Sequence, residues 1–301
     1  MRSFVINKNQ DGIRLENFIR LKIEANQAFL FMMLRKKVIR INNVHPKDFK
    51  CILKVNDEVK IYLDDKYFKK EYSLPFDIIY EGNNLLIIDK PKGILVHSDS
   101  NSHNNVIDIV TKYLIEKNEY IPSLNNEFRP SLNNRLDSNT SGLLIISKNK
   151  ETLELVNRLI ASRDIKKYYL AKVKGKMEKD HFIYKDYYVF DPIKRMGKVY
   201  KDKVLDSKEI ITGYKVLSEK DDISTLEVEL ITGRTHQIRS HLAFYNHPII
   251  GDNKYGDLNI NKKYKKDSQE LVAYKLVFST DNLEHLDYLS NKVFTSKIKL
   301  S

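Results

Sequence analysis

The sequence predicts an α+β fold in two modules, and three observations carry that expectation. Residues 12–63 read as two amphipathic helices followed by short strands. A charged, weakly periodic stretch, Asp64-Asp65-Lys66-Tyr67-Phe68-Lys69-Lys70-Glu71, has the composition of a linker. Beyond Pro75, strands and helices mix without the regular strand–helix–strand repeat of a parallel α/β sheet. The expected domains are residues 1–70, a small αα-then-β module with its linker, and residues 71–301.

In the first module Leu15, Phe18, Ile19 and Ile23 recur at helical spacing, and a second apolar helical stretch runs through Phe29, Met32, Met33 and Leu34. It ends in the basic cluster Arg35-Lys36-Lys37. Strands fit Val38–Ile41 and Glu58–Leu63, with Asn42-Asn43 as the turn. In the second module Tyr80–Asn84 reads as a turn and Leu85–Ile88 as a strand. Asp89-Lys90-Pro91-Lys92-Gly93 forms another turn before Ile94–Val96. A helix places Val106, Ile109, Val110, Tyr113 and Leu114 on one face. Residues 142–147 form a strand that runs into a helix around Leu153, Val156, Leu159 and Ile160. Later strands fit Tyr168–Val173, Leu226–Leu230 and Val272–Phe278.

At 301 residues and 42% hydrophobic content the chain can build two ordinary cores. No stretch approaches about 18 consecutive apolar residues, which excludes a helical membrane span. The start, Met1-Arg2-Ser3-Phe4-Val5-Ile6-Asn7, lacks an apolar run of signal-peptide length, so a cytoplasmic location is expected. Cys51 stands alone, which rules out an internal disulfide or a cysteine zinc cluster. Lys and Arg outnumber Asp and Glu by 52 to 40, a net charge of +12. That balance fits a polyanionic partner, usually nucleic acid, although Lys, Asn and Ile are abundant throughout.

The most informative segment is Asn134-Arg135-Leu136-Asp137-Ser138-Asn139-Thr140-Ser141-Gly142-Leu143-Leu144. An arginine stands two residues before an acid, on a polar, glycine-ended loop feeding an apolar strand. If extended, Arg135 and Asp137 project to the same side, and the cation would hold the carboxylate ionised and oriented. Local chemistry alone leaves a capping turn and a structural Arg–Asp pair open beside catalysis. A calcium loop fails, because the bidentate Glu expected at its twelfth position would be Lys148.

Four segments then agree. This one resembles the Arg-Leu-Asp-x-x-Thr-Ser-Gly motif of RluA-type RNA pseudouridine synthases, whose Asp carries the reaction. Leu85 to His97 resembles the family's lysine-proline-x-glycine strand-turn-strand. Lys167-Tyr168-Tyr169-Leu170-Ala171-Lys172-Val173-Lys174-Gly175 resembles the segment that bears its active-site tyrosine. Thr232-Gly233-Arg234-Thr235-His236-Gln237-Ile238-Arg239-Ser240-His241-Leu242, with His247 to Asp252 and Tyr255-Gly256, resembles its C-terminal signature. Together they span roughly residues 78–278, in the family's order. Residues 14–19, 34–42 and 53–59 resemble the small RNA-binding domain named after ribosomal protein S-four. The departures are Asn134 for a usual His, Leu271-Val272-Ala273 where a His-Ala often stands, and Asn56 for a usual Gly. In addition, Gln27-Ala28-Phe29 are mostly apolar at the small domain's RNA edge.

The resemblance implies a catalytic domain with a mixed, largely antiparallel sheet and a central RNA-binding cleft. It implies that Asp137 is the catalytic carboxylate, that Arg135, Tyr169 and Arg234 bind substrate, and that Arg234 lies near the catalytic acid. Tyr169 would stack on the uracil and assist proton transfer at C5. Uridine and pseudouridine are isomers, so no cofactor and no metal are expected. His236 and His241 lack the i, i+4 spacing of a helical zinc site and are read as RNA-contact or packing residues. Arg35, Lys36, Lys37, Arg40, Lys47, His236 and Arg239 are candidate RNA contacts. Arg234 and Arg239 sit beside a helix expected to start at Thr235, where phosphate binding and pairing with Asp137 both make sense. The expected partner is structured RNA, foremost 23S rRNA, with the protein a monomer. Within the family the Arg-Leu-Glu-Asn-Phe-Ile-Arg opening resembles the C subgroup of large-subunit synthases. Transfer RNA is the alternative substrate, and a non-catalytic ribosome-assembly protein the alternative class. A basic hydrolase finds no second carboxylate at partner spacing.

Overall fold

The computed structural model describes residues 1–6, 10–68, 74–96, 105–117, 119–122, 128–280 and 283–300. His97, and Lys69, Lys70 and Glu71 of the expected linker, lie outside the described residues. The chain forms two compact units: Met1–Leu74 with Ile107–Pro130, and Pro75–Val106 with Ser131–Ser301. The sequence places 107–130 in the larger module; in the structure it clusters with the smaller. Ile121 joins the small unit's core, and the Lys22 ammonium donates to the Glu116 carbonyl at 3.3 Å.

In the first unit β1 (Arg2–Val5), α1 (Leu15–Lys22), α2 (Gln27–Arg35), β2 (Ile39–Ile41) and β3 (Glu58–Ile61) follow in order. The strands form an antiparallel sheet, β1-β3-β2. Leu15, Phe18 and Ile19 of α1 and Leu30 and Met33 of α2 are buried, as helical spacing requires. The Asn26 side chain caps α2 by accepting from the Phe29 N–H at 2.9 Å. Asn42, Asn43 and Asn56 adopt positive φ of 49°, 65° and 71°. Asparagine tolerates this better than most residues, so Asn56 serves where the resembling domain uses glycine. The strand β1 has no counterpart in the sequence reading, because four residues with one half-buried phenylalanine carry too little alternation.

The second unit opens with β4 (Asp77–Glu81) and β5 (Leu85–Lys90). The helix α3 (Val106–Glu116) bridges the boundary in sequence; β6 (Ser131–Leu132), β7 (Ser141–Ser147), α4 (Lys150–Ser162) and β8 (Ile165–Lys174) follow. Then come β9 (His181–Asp191), β10 (Met196–Tyr200), β11 (Lys208–Lys220), β12 (Ile223–Leu230), α5 (Gln237–Phe244), α6 (Leu258–Lys263), β13 (Leu271–Phe278) and β14 (Val293–Thr295). Among the described residues they make an eleven-stranded sheet in the order β10-β9-β11-β12-β8-β13-β7-β5-β4, with β14 on β13 and β6 on β7. Only β7 and β13 run parallel, so the sheet is mixed and largely antiparallel. Leu85, Ile87, Leu143 and Ile145 pack against Leu155, Val156 and Leu159 of α4. Burying each such side chain contributes about 1.5–3 kcal/mol.

Three sequence expectations change here. Tyr80 lies in β4, and the turn shrinks to 82–84. Ile94–Val96 is not a strand. The helix expected at Thr235 starts at Gln237, because His236 takes a left-handed φ of 55°. Gly142 is required where it stands. At its φ of 114° a Cβ would lie 2.2 Å from the Ala273 carbonyl oxygen, across the β7–β13 pair.

Candidate active site

The loop between β6 and β7 places Asp137. Leu136 is buried, so its neighbours Arg135 and Asp137 turn outward and line one cleft of about 530 Å³. The loop is closed by the Thr140 N–H on the Asp137 carbonyl at 3.0 Å. Its next carbonyl, that of Ser138, accepts from the Gly93 N–H at 2.9 Å and from the Lys90 ammonium at 2.9 Å. Lys90 is wholly buried and also donates to the carbonyls of Pro91 and Ile94. Burial pulls its ammonium down to about 8, against the attraction of Asp137. Asn134 anchors the loop's start: its side chain donates to the Leu143 carbonyl at 3.1 Å and accepts from the Ile145 N–H at 2.8 Å. Amide chemistry thus pairs with both backbone groups of β7 at the position where the family usually has His.

The Asp137 carboxylate is 25% exposed and is held by α5. Arg239 Nη1 donates to Asp137 Oδ2 at 2.6 Å, while its Nε and Nη2 grip Asp252 at 2.7 and 2.9 Å. Burial opposes the charge on Arg239, but Asp252 and then Asp137 outweigh it and hold the guanidinium above its ordinary value. Burial likewise raises Asp252, and Arg239 with the N–H groups of Lys254 and Tyr255 brings it below the carboxylate range. A forked guanidinium between two acids fixes the Asp137 carboxylate in one orientation.

Arg239 is 6% exposed, so it is a support for Asp137 and not an RNA contact. The expected partners stand elsewhere. Arg135 and Arg234 both line the cleft with Asp137, yet both are exposed and neither forms an ion pair with it. The Gln237 side chain accepts from the Arg234 N–H at 3.0 Å and closes that turn, which leaves the Arg234 side chain at the rim.

Tyr169 of β8 is 4% exposed and lines the cleft beside Asp137. Its neighbour Tyr168 belongs to the other face, under the Lys275 ammonium at 4.3 Å. Burial, then the Asp137 charge, pushes the Tyr169 hydroxyl up, so it stays a neutral phenol. His236 brings Nε2 to 3.8 Å from Asp137 Oδ2, and its Nδ1 lies 3.1 Å from the Tyr255 hydroxyl. Burial lowers its pKa despite Asp137, with Arg239 and Lys254 adding to the shift. The other signature histidine, His241, is fully buried between Asp186 at 2.9 Å and Thr212 at 2.8 Å, a packing role.

Arg163 and Lys167 also line the cleft, and Asp137 is its only carboxylate among the described residues. Sequence reasoning missed Lys90, Asp252, Arg163 and Lys167 as site residues. For Lys90 a signal existed: a lysine closing a strand that opens with the apolar run Leu85–Ile88 must bury its charge on something. No group of three or more His, Cys, Asp or Glu residues that could hold a metal occurs among the described residues. No helix among them is long and apolar enough to cross a membrane. Arg35, Lys36, Lys37 and Lys47 of the first unit are exposed, and Arg40 is half-buried with its guanidinium 5.2 Å over the Tyr62 ring.

Residues 84–244 match the model of the RNA pseudouridylate synthase family. The chain is 33% identical to an uncharacterized RNA pseudouridine synthase of Mycoplasma capricolum, over 97% of this chain and 96% of that one. It is 29% identical to the ribosomal large subunit pseudouridine synthase D of Blochmanniella floridana, over 94% and 88%. That relative carries the letter D, where the N-terminal opening suggests the C subgroup. The fold matches human RNA pseudouridylate synthase domain containing 4, with a TM-score of 0.56 and 24% identity over 73% of this chain and 88% of that one. With its matched segment covering more than half of its length, the chain belongs to the RNA pseudouridine synthase family and is an enzyme of RNA modification.

Proposed function

We propose that this synthase isomerises uridines of large-subunit (23S) ribosomal RNA, with Asp137 as the reacting carboxylate. The observation that carries the assignment is the composition of the cleft. Among the described residues a single carboxylate, oriented by a forked arginine, faces a space whose basic lining residues are Arg135, Arg163, Lys167, Arg234 and His236. Such a cleft draws in a polyanion and presents one acid to one sugar.

The reaction breaks the N1–C1′ bond, turns the uracil and joins C5 to C1′, and the C5 proton is replaced at N1. The sugar becomes electron-poor on the way, which is where a carboxylate helps. Asp137 either adds to C1′ or takes the C2′ proton and steers the sugar through a glycal. Extracting the base from its stack costs roughly a few kcal/mol, and the Tyr169 ring offsets part of that by stacking. As a neutral phenol, Tyr169 serves as a hydrogen-bond donor to the base. The exposed side chains of Arg135 and Arg234, which form no ion pair among the described residues, would take the flanking phosphates. The first unit, read as an S-four-type domain, adds a docking surface through Arg35, Lys36, Lys37, Arg40 and Lys47. Ribosomal RNA as substrate is favoured by the name of the Blochmanniella relative, and it implies work in the cytoplasm.

Mapping pseudouridines in rRNA and tRNA with and without the gene tests this reading. Loss of sites in 23S rRNA, restored by the wild type and not by Asp137→Asn, is expected. Loss confined to tRNA refutes the substrate, and equal rescue by Asp137→Asn refutes the assignment of the acid.

A further inference from the structure

The hairpin of β9 and β10 continues the wall of the cleft beyond the residues used so far. β10 is an edge strand of the sheet and β9 its neighbour, and Phe190 pairs with Gly197 one step before the tip. The Phe190 ring meets the His236 ring edge-on, with centroids 6.4 Å apart, so it adjoins a residue that lies 3.8 Å from Asp137. The tip itself is fixed: Asp191 Oδ1 accepts from the N–H groups of Ile193 and Lys194, both at 2.9 Å. On its far side the Lys254 ammonium donates to the Arg195 carbonyl at 3.3 Å. The tip holds Ile193 out at 93% exposure, followed by the exposed Lys194 and Arg195.

Protection of an edge strand explains lysines there. It does not explain a phenylalanine and an isoleucine left open to water, which work against solubility. An exposed apolar residue followed at once by two cations, on a turn braced by its own side chain, suits a nucleic-acid strand. The apolar groups meet bases and the cations meet phosphates. We infer that the β9–β10 hairpin grips the unpaired RNA nucleotides that adjoin the target uridine. Phe190 and Ile193 contact bases there, and Lys194 and Arg195 contact the backbone. Two features fix the occupant as RNA: the charge is complementary, and the surface is continuous with the catalytic cleft through Phe190 and His236. The inference rests on the reading of that cleft as the RNA site.

The test uses the full chain and an rRNA fragment that the wild type modifies. Lys194→Glu/Arg195→Glu and Ile193→Ser are compared with Lys150→Glu, a control at the opposite end of α4 from the cleft. Melting temperature and kcat at saturating RNA should stay near wild type, since the tip is solvent-exposed. KM should rise about tenfold for either tip variant, as expected from the loss of a base contact or two phosphate contacts. The double variant should also make the salt dependence of binding shallower by about 1.4 in the log–log slope. Unchanged KM and slope with an active wild type overturn the hairpin assignment and leave the cleft reading intact. A wild type that forms no pseudouridine overturns the cleft reading itself. Should the double variant fail to fold, the KM of Ile193→Ser decides alone.

Discussion

Arg239 donates one N–H to Asp137 and two to Asp252, so its loss strands two acids at once. Arg239→Met is therefore expected to cost about 3–5 kcal/mol of unfolding free energy, measured in denaturant, and to abolish turnover. Arg239→Lys keeps the charge without the fork and should fall between. At Tyr169 the ring and the hydroxyl separate cleanly. Tyr169→Phe should keep RNA affinity and lose rate, whereas Tyr169→Ala should lose both, which single-turnover kinetics on a bound fragment will resolve. Lys90→Met takes a donor from three carbonyls, of which that of Ser138 keeps the Gly93 N–H, and should destabilise by about 3 kcal/mol. At this scale the sequence made Asp137 and Tyr169 legible through their motifs. It did not show which arginine of the signature turns inward. That depends on helix phase, and the left-handed His236 starts α5 two residues later than the residue pattern suggests.

Among the elements, β7, α4, β8, β12 and β13 were readable because apolar periodicity dominates each of them. The long strands β9 and β11 were not. Their cores are tyrosines and polar groups interleaved with lysine and acid, and Asp186 is buried only because His241, Tyr245 and Lys201 from distant segments meet it. That cluster makes stability depend on pH. Burial holds His241 below the ordinary histidine range. Asp186 lies below the ordinary carboxylate range although burial opposes this, because Tyr245 and His241 donate to it. Both groups bind protons more readily in the unfolded chain, so acid favours unfolding. The pair's contribution is complete above about pH 7 and falls away as the pH drops, first through the titration of His241 and then through that of Asp186. Melting curves from pH 7 to 5 should show this decline, and His241→Gln should flatten its upper part. Gly142→Ala should be far more damaging than its size suggests, by about 3 kcal/mol, since its Cβ would meet the Ala273 backbone.

Over the whole molecule, the net charge of +12 suggested a polyanion without saying where it binds. The fold concentrates part of that charge around one acid. Charge removal at Arg35, Lys36 and Lys37 in the first unit should make the salt slope of RNA binding shallower by about 2 and leave the reaction of bound RNA unchanged. An unaltered slope would leave that unit without a role in RNA docking. The two-module organisation followed from composition and periodicity. The allegiance of residues 107–130 did not, because tertiary contacts made by Ile121 and Glu116 decide it. The central claim is that Asp137 drives exchange of C5 for N1 at the sugar. Release of tritium from 23S rRNA carrying [5-³H]uridine reads that event directly. Wild type should release it site by site, and Asp137→Asn, folded and still binding the RNA, should release it slower by about 10³-fold or more. Release by Asp137→Asn at the wild-type rate would contradict the account.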